Sequence, residues 1–357
     1  MSRTPASPRM LNDQQRSAHI REVVMAHGNA LRQRYPVLNH QDTLGAGILA
    51  FALAGMVGSA LLYLNEQIAW WACLLLNAFF ASLTHELEHD LIHSMYFRKR
   101  KVPHNLMMAL VWMARPSTIN PWIRRHLHLN HHKVSGSEAD MEERAITNGE
   151  PWGLARLLMV GDNVMSSLIR MLRAKTWAQK RSILARTLKV YAPLALLNWG
   201  TWYVFLGFHA IDALASAFGA PVAWSAGTLE AMTVVDIAVV VLVGPNVLRT
   251  FCLHFVSSNM HYYGDIEAGN VIQQTQVLNP WWLWPLQAFC FNFGSTHAIH
   301  HFVVKEPFYI RQLTAPVAHR VMREMGVRFN DFGTFARANR WHPKDKPATQ
   351  PAQPTLG

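Results

Sequence analysis

The sequence predicts an all-α integral membrane protein, with four transmembrane helices beneath a histidine-rich cap on the cytoplasmic face. Three observations predict it. Half of the 357 residues are apolar and only 15% are charged, against roughly 25% in an ordinary soluble chain. Four apolar segments reach or approach the roughly 20 residues that cross a hydrocarbon core. All 33 Lys and Arg residues fall in three regions, 1–42, 85–189 and 249–357.

Residues 1–42 are polar, with helical patterning around Gln14 to Tyr35, and form the expected cytoplasmic N-terminal segment. The first span runs from Leu44 to Leu64 and the second from Ile68 to about Leu83. Their short link, with Asn65 and Glu66, makes them a helical hairpin. The third span is Tyr191 to Phe208. The fourth runs from about Val234 to Phe255 and is interrupted by Asp236 and Pro245. Apolar stretches at 105–114 and 281–293 are too short to span and read as re-entrant or interfacial, with Trp281, Trp282 and Trp284 suited to the membrane surface. Gly153 to Leu172 is amphipathic and leads into a basic run, so it reads as a helix lying on the membrane. A single domain of residues 43–335 is expected, followed by a disordered tail, 336–357, rich in Pro, Gln and Lys.

The links at 64–67 and 209–231 contain no Lys or Arg. By the positive-inside rule they are external, and both termini are cytoplasmic. The net charge of +11 then reads as anchoring to anionic lipid, not nucleic-acid binding. Cys73, Cys252 and Cys290 lie in apolar stretches without a CxxC pair, which excludes a disulfide framework or built-in iron–sulfur centre. The opening MSRTPASPRM begins no apolar h-region, so no cleavable signal peptide is expected.

Most of the 19 histidines cluster. The first cluster is His85-Glu86-Leu87-Glu88-His89-Asp90-Leu91-Ile92-His93. On a helix, His85, His89 and His93 share one face at i, i+4 and i+8. The second contains HxxHH at His128, His131 and His132, with His126 just before it. The third, His297-Ala298-Ile299-His300-His301, is HxxHH again. Neighbouring histidines on a helix point to different faces, so each HH pair can serve two metal ions. His261, just past the fourth span, makes a ninth candidate ligand beside His85, His89, His128, His131, His132, His297, His300 and His301. The topology places all of them on one membrane face.

Alternatives stay open within this set. His93 can replace His85, because both lie four residues from His89. His126 can replace His128. Asn259 can reach a metal through water or simply serve a turn. Glu86, Glu88 and Asp90 read as acceptors for imidazole N–H groups. His19, His27, His40, His104, His209, His319 and His342 read as interfacial or structural, and His254 stays open with a lean to a structural role. The string HELEH also fits a zinc protease, but one zinc leaves both HxxHH boxes unexplained. A metal transporter would place its ligands inside the spans, and no histidine lies deep within the first three. Nine imidazoles without a bridging carboxylate favour iron over zinc, which is normally content with four ligands.

On these residues the chain resembles the membrane fatty acid desaturase–hydroxylase superfamily, whose members carry boxes HxxxH, HxxHH and HxxHH on a four-span scaffold. The resemblance covers roughly residues 44–312 and includes the stretch His301 to Tyr309 after the last box. The element Asn259 to Gly264 is similar to a His-Tyr-Gly element of membrane alkane hydroxylases. Taken whole, HELEHDLIH, HLHLNHH, SSNMHYYGD and GSTHAIHH are most similar to a bacterial desaturase-like branch, some of whose members convert free medium-chain fatty acids to terminal alkenes. The chain departs from the common pattern by an extra histidine in each of the first two boxes and by the lack of a fused cytochrome b5 or ferredoxin domain.

The resemblance implies a desaturase-like enzyme of the bacterial cytoplasmic membrane with two iron ions and O2 as co-substrate. Electrons would come from a separate ferredoxin or rubredoxin with an NAD(P)H reductase. The implied reaction is oxidative decarboxylation of a free medium-chain acid, with internal desaturation or hydroxylation as alternatives. Arg115, Arg124, Arg125 and Lys133 are candidate partners for a substrate carboxylate.

Overall fold

The computed structural model describes residues 11–343, and their regular structure is helical, with no strand among them and only isolated bridges at His261–Thr275 and Val277–Phe329. Helix α1 (Asp13–Arg34) starts from a capping box in which Asn12 and Gln15 satisfy each other's backbone N–H groups. Its Ile20 and Val24 are buried. Arg32 pairs with Glu306, and Arg21 Nε donates to the Phe302 carbonyl at 3.0 Å. The N-terminal segment is thus part of the cap's packing.

Helices α2 (Gln41–Leu64) and α3 (Trp70–Ile92) form the expected hairpin. Gly55 leaves room for the Phe80 ring where the two helices approach closely. Three helices are long and apolar enough to cross a membrane: Gln41–Leu64, Leu194–Ala217 and Ala226–Met260. The expected second span, within α3, is not among them. Its 23 residues suffice in length, but Asn77 and the polar run from Thr84 dilute its apolar character, and the helix continues past the expected end at Leu83 through the whole first histidine cluster.

Next come α4 (Lys101–Met113), packed on α3, and α5 (Pro121–Val134), which carries the second histidine cluster. Helix α6 (Met141–Ala145) follows at once. The surface helix expected at 153–172 is two helices, α7 (Leu154–Gly161) and α8 (Asn163–Arg173). Asp162 breaks it: its carboxylate caps α8 by accepting from the Val164 and Met165 N–H groups at 2.7 and 3.0 Å. The basic run forms α9 (Trp177–Tyr191).

Helix α10 (Leu194–Ala217) outruns the expected third span, shrinking the link before α11 (Ala226–Ala238) to residues 218–225. Polar partners tolerate the extension: His209 Nε2 lies 2.8 Å from Asp236, and Trp224 Nε1 donates to Asp212 at 2.9 Å. A single π turn, Val239–Val243, joins α11 to α12 (Gly244–Met260). Its cause is Pro245, which has no N–H to return to the Val241 carbonyl. Asn77 Nδ2 of α3 donates to that carbonyl instead, at 2.7 Å, and Ser59 Oγ of α2 donates to Asn77 Oδ1. One polar cluster thereby ties three helices together. Arg249 lies inside this 35-residue run, not beyond its end.

Short helices α13 (Val271–Gln274) and α14 (Trp284–Ala288) precede α15 (Phe293–Phe302), which holds the third histidine cluster, and α16 (Phe308–Glu324), which packs on α1. Residues 336–343, assigned to the tail by composition, are packed: Asn339 is fully buried and donates to the His261 carbonyl at 2.6 Å. Residues 344–357 lie outside the described residues, as do residues 1–10. Two apolar cores flank the histidines. One joins Ile20 and Val24 to Val256, Met260, Ile299 and Phe302, and the other joins Leu87, Leu91 and Tyr96 to Met108, Val111 and Phe308.

Candidate metal centre

Four helices bring the histidines together: the end of α3, α5, the end of α12 and α15. The side chains form two groups, His89, His93, His128 and His300, and His131, His261, His297 and His301, with the ligand atoms of each group within 4.8 Å of one another. Each HH pair feeds both sides. His300 belongs to the first group and His301 to the second. His131 belongs to the second, while His132 Nε2 lies 3.1 Å from His128 Nε2 and 3.0 Å from His300 Nε2, beside the first. The groups abut, with the His128 and His131 rings 5.8 Å apart.

The alternatives left open by the sequence fall out as follows. His85 lies outside both groups and His93 stands in its place. The cause is the length of α3, which ends at Ile92 and presents His93 as its C-cap. There His93 Nε2 meets His128 Nε2 at 3.0 Å, whereas His85, two turns deeper, has Nδ1 3.3 Å from Arg115. His126 is exposed and takes no part. Asn259 turns its amide onto its own helix, donating to the Phe255 carbonyl at 2.8 Å, and joins neither group.

The acidic residues of the first cluster do not serve imidazoles. Glu88 pairs with Arg115 and, at 3.0 Å, with Arg124, while Arg311 takes Asp90 at 2.8 Å and Glu86 at 3.5 Å. Two imidazole acceptors come from the turn after α5 and from α6. Asp140 lies 2.8 Å from His131 Nδ1 and Glu142 2.8 Å from His128 Nδ1, while His261 Nδ1 is hydrogen-bonded to the Ser257 carbonyl at 3.1 Å, with the Glu143 carboxylate beside it at 3.1 Å but not hydrogen-bonded. Gln274 Oε1 lies 3.2 Å from His301 Nδ1. None of Asp140, Glu142, Glu143 and Gln274 belongs to a histidine box or its immediate flank. The signal for three of them was present, because Glu138, Asp140, Glu142 and Glu143 crowd into six residues just past the second box.

These contacts decide what the rings can bind. An acceptor on Nδ1 holds the proton there and leaves the Nε2 lone pair free. The Nε2 atoms of His261 and His301, freed in this way, both meet Nε2 of His297, at 3.1 and 3.3 Å. Lone pairs so close repel unless a cation lies among them. Both ring nitrogens of His89, and Nε2 of His131, are buried without any partner. Burial pushes His297, His300 and His301 well below the ordinary imidazole range, into the neutral form that metals take. Burial acts the same way on His131, but the Asp140 hydrogen bond and the charges of Asp140, Glu143 and Glu142 lift it to about 9. The donor set therefore fits two adjacent, imidazole-rich metal ions held by oriented rings.

Among the histidines read as structural, His104 Nδ1 lies 2.9 Å from the Tyr96 carbonyl and His319 Nε2 2.7 Å from the Ser295 carbonyl. The proposed carboxylate partners are engaged or exposed. Arg115 and Arg124 share Glu88, Arg125 donates to Ser94 Oγ at 2.6 Å, and Lys133 is exposed. A small cavity of about 20 Å³, room for a single water, lies against the centre, lined in part by His85, His89, Arg124, Leu253 and Ser257.

The sequence model of the fatty acid desaturase family matches residues 68–333, a stretch that holds the three boxes and His261. A search among curated proteins returned no significant match to the chain.

Proposed function

Since the chain belongs to the fatty acid desaturase family, we propose that it is an O2-dependent membrane oxidase of fatty acyl chains whose two histidine groups hold two iron ions. The observation that carries this reading is the pairing of two adjacent four-histidine groups, in which Nδ1 acceptors on His128, His131, His261 and His301 leave those rings' Nε2 lone pairs free. Iron bound there supplies the oxidation of an unactivated C–H bond.

The rest of the work falls to the protein. Asp140, Glu142, the Ser257 carbonyl and Gln274 hold the orientations of His131, His128, His261 and His301. Glu88 and its two arginines lock α3 against α5, and the apolar cores exclude water from the reacting end. The helices α2, α3, α10 and α11–α12 form four spans, with the centre and both termini on the cytoplasmic side of a bacterial inner membrane. Support for that orientation is the absence of Lys and Arg from residues 43–84 and 190–248.

The reaction we favour is oxidative decarboxylation of a free medium-chain fatty acid. Its balance is RCH2CH2COOH + O2 + 2e− + 2H+ → RCH=CH2 + CO2 + 2H2O. The Cβ–H and Cα–carboxyl bonds break and the Cα=Cβ bond forms. The electrons come from a ferredoxin or rubredoxin reduced by an NAD(P)H reductase. Support for this choice is whole-chain similarity to alkene-forming members of the superfamily; internal desaturation and hydroxylation are the alternatives. Product analysis tests it. Cells expressing the protein and fed β-deuterated dodecanoic acid should release a 1-alkene one carbon shorter that has lost one deuterium. An acid of unchanged length with an internal double bond, or with a hydroxyl, would select the corresponding alternative.

A further inference from the structure

Arg115, Arg156, Arg249 and Arg311 are among the largest fully buried side chains. A buried guanidinium is costly unless both its charge and its N–H groups are answered. Two of the four have carboxylate partners and a third has short hydrogen bonds to carbonyls, although Nε of Arg115, Arg156 and Arg311 lacks a partner. Arg115 pairs with Glu88, and Arg311 with Glu86 and Asp90. Arg156 meets no carboxylate, but it donates to the carbonyls of Glu150, Phe335 and Ser258 at 2.8, 3.2 and 2.9 Å and to Asn339 Oδ1 at 2.7 Å.

Arg249 has no such answer. It is 1% exposed. Its contacts are all neutral, and two of the three are long: Asn246 Oδ1 at 3.3 Å, Ser117 Oγ at 3.3 Å and Thr250 Oγ1 at 3.1 Å. Its Nη1 has no partner. An ionisable side chain inside an apolar helix marks a functional site by default, and its position agrees. Arg249, Leu253, Ser257 and His261 follow one another at four-residue intervals along one face of α12. Leu253 and Ser257 line the cavity against the histidines, and His261 belongs to the second histidine group.

We propose that Arg249, supported by Ser117 and Thr250, binds the carboxylate of a free fatty acid, a subsite that rests on the fatty acyl oxidase reading above. A carboxylate brings the missing negative charge and two acceptor oxygens matched to the guanidinium fork. Neutral esters and alkanes bring no charge. A thioester with a bulky, multiply charged head group cannot reach a side chain buried this deeply. The subsite therefore selects free acids over activated or esterified chains.

Equilibrium binding without turnover tests this. Radiolabelled dodecanoate and methyl dodecanoate are titrated against the purified full-length, metal-loaded protein in lipid nanodiscs. The wild type should prefer the acid by roughly tenfold or more. Arg249→Gln should abolish that preference while ester affinity and metal content stay unchanged. Arg249→Lys keeps a point charge without the planar fork and should retain part of the preference, which also covers the case in which Arg249→Gln does not accumulate. Three results would overturn the proposal: a wild type indifferent to the charge, an unaltered preference in either variant, or an equal loss of acid and ester in Arg249→Gln. Because no turnover is read, failure to oxidise any chain would defeat the oxidase reading and leave this binding result standing.

Discussion

The carboxylate of Glu142 joins the two halves of the centre's support, with Oε2 2.8 Å from His128 Nδ1 and Oε1 accepting from Arg124 Nε at 3.1 Å. Arg124 in turn reaches Glu88 at 3.0 Å. The orientation of one candidate ligand ring is therefore coupled to the charge network that holds α3 against α5.

That coupling separates two variants. Glu142→Gln should weaken metal retention about 10- to 100-fold, the usual cost of losing an outer-sphere partner of a ligand histidine, and leave the metal-free protein folded. Glu88→Gln leaves Arg115 and Arg124 without their shared carboxylate and should cost about 3–5 kcal/mol of stability, visible as a lower unfolding midpoint in metal-free protein. Equal metal loss with equal destabilisation in both would show that the two acids do not have these separate roles.

The register of the first box gives a second comparison. His93→Ala should lose metal, because His93 belongs to the first group. His85→Ala should keep its metal and His126→Ala should be silent. Metal analysis of the three purified variants decides it, and the reverse pattern for His85 and His93 would restore the other register.

The chain's own pattern revealed the three boxes, the α2–α3 hairpin and the ninth histidine, because apolar runs and i, i+4 spacing are local properties. It left open which of His85 and His93 faces the centre. Both share a face with His89, and only the end of α3 and the approach of α5 and α15 separate them. The acids of the first box invited a role beside the imidazoles because they adjoin histidines in sequence. Arg115, Arg124 and Arg311, which claim them, come from 27 to 225 residues away, and no spacing rule reports such contacts. Glu142 and Asp140 lay closer to view, since they follow the second box within one short turn. Arg249 was hidden for a different reason: it sits near the end of an apolar run and was counted with the cytoplasmic charge.

Asn77 makes a prediction about the scaffold. Its Nδ2 satisfies the Val241 carbonyl that Pro245 leaves free, at 2.7 Å. Asn77→Ala would bury that carbonyl without a donor and should cost about 1–3 kcal/mol. Unfolding midpoints in detergent, compared with Asn65→Ala on the exposed link, check it. No difference between the two variants would show that another group supplies the hydrogen bond.

The orientation of the chain is open to reporter fusions. A fusion after Ala220, within the link at 218–225, should report the external side, and one after Phe302 the cytoplasmic side. An external signal at Phe302 would separate the metal centre from the cytoplasmic electron donor and defeat the topology.

Metal stoichiometry tests the central claim most directly. Elemental analysis of the purified full-length protein should find two iron ions per chain, one for each four-histidine group. One zinc per chain, or no bound transition metal after expression in iron-replete medium, would contradict it.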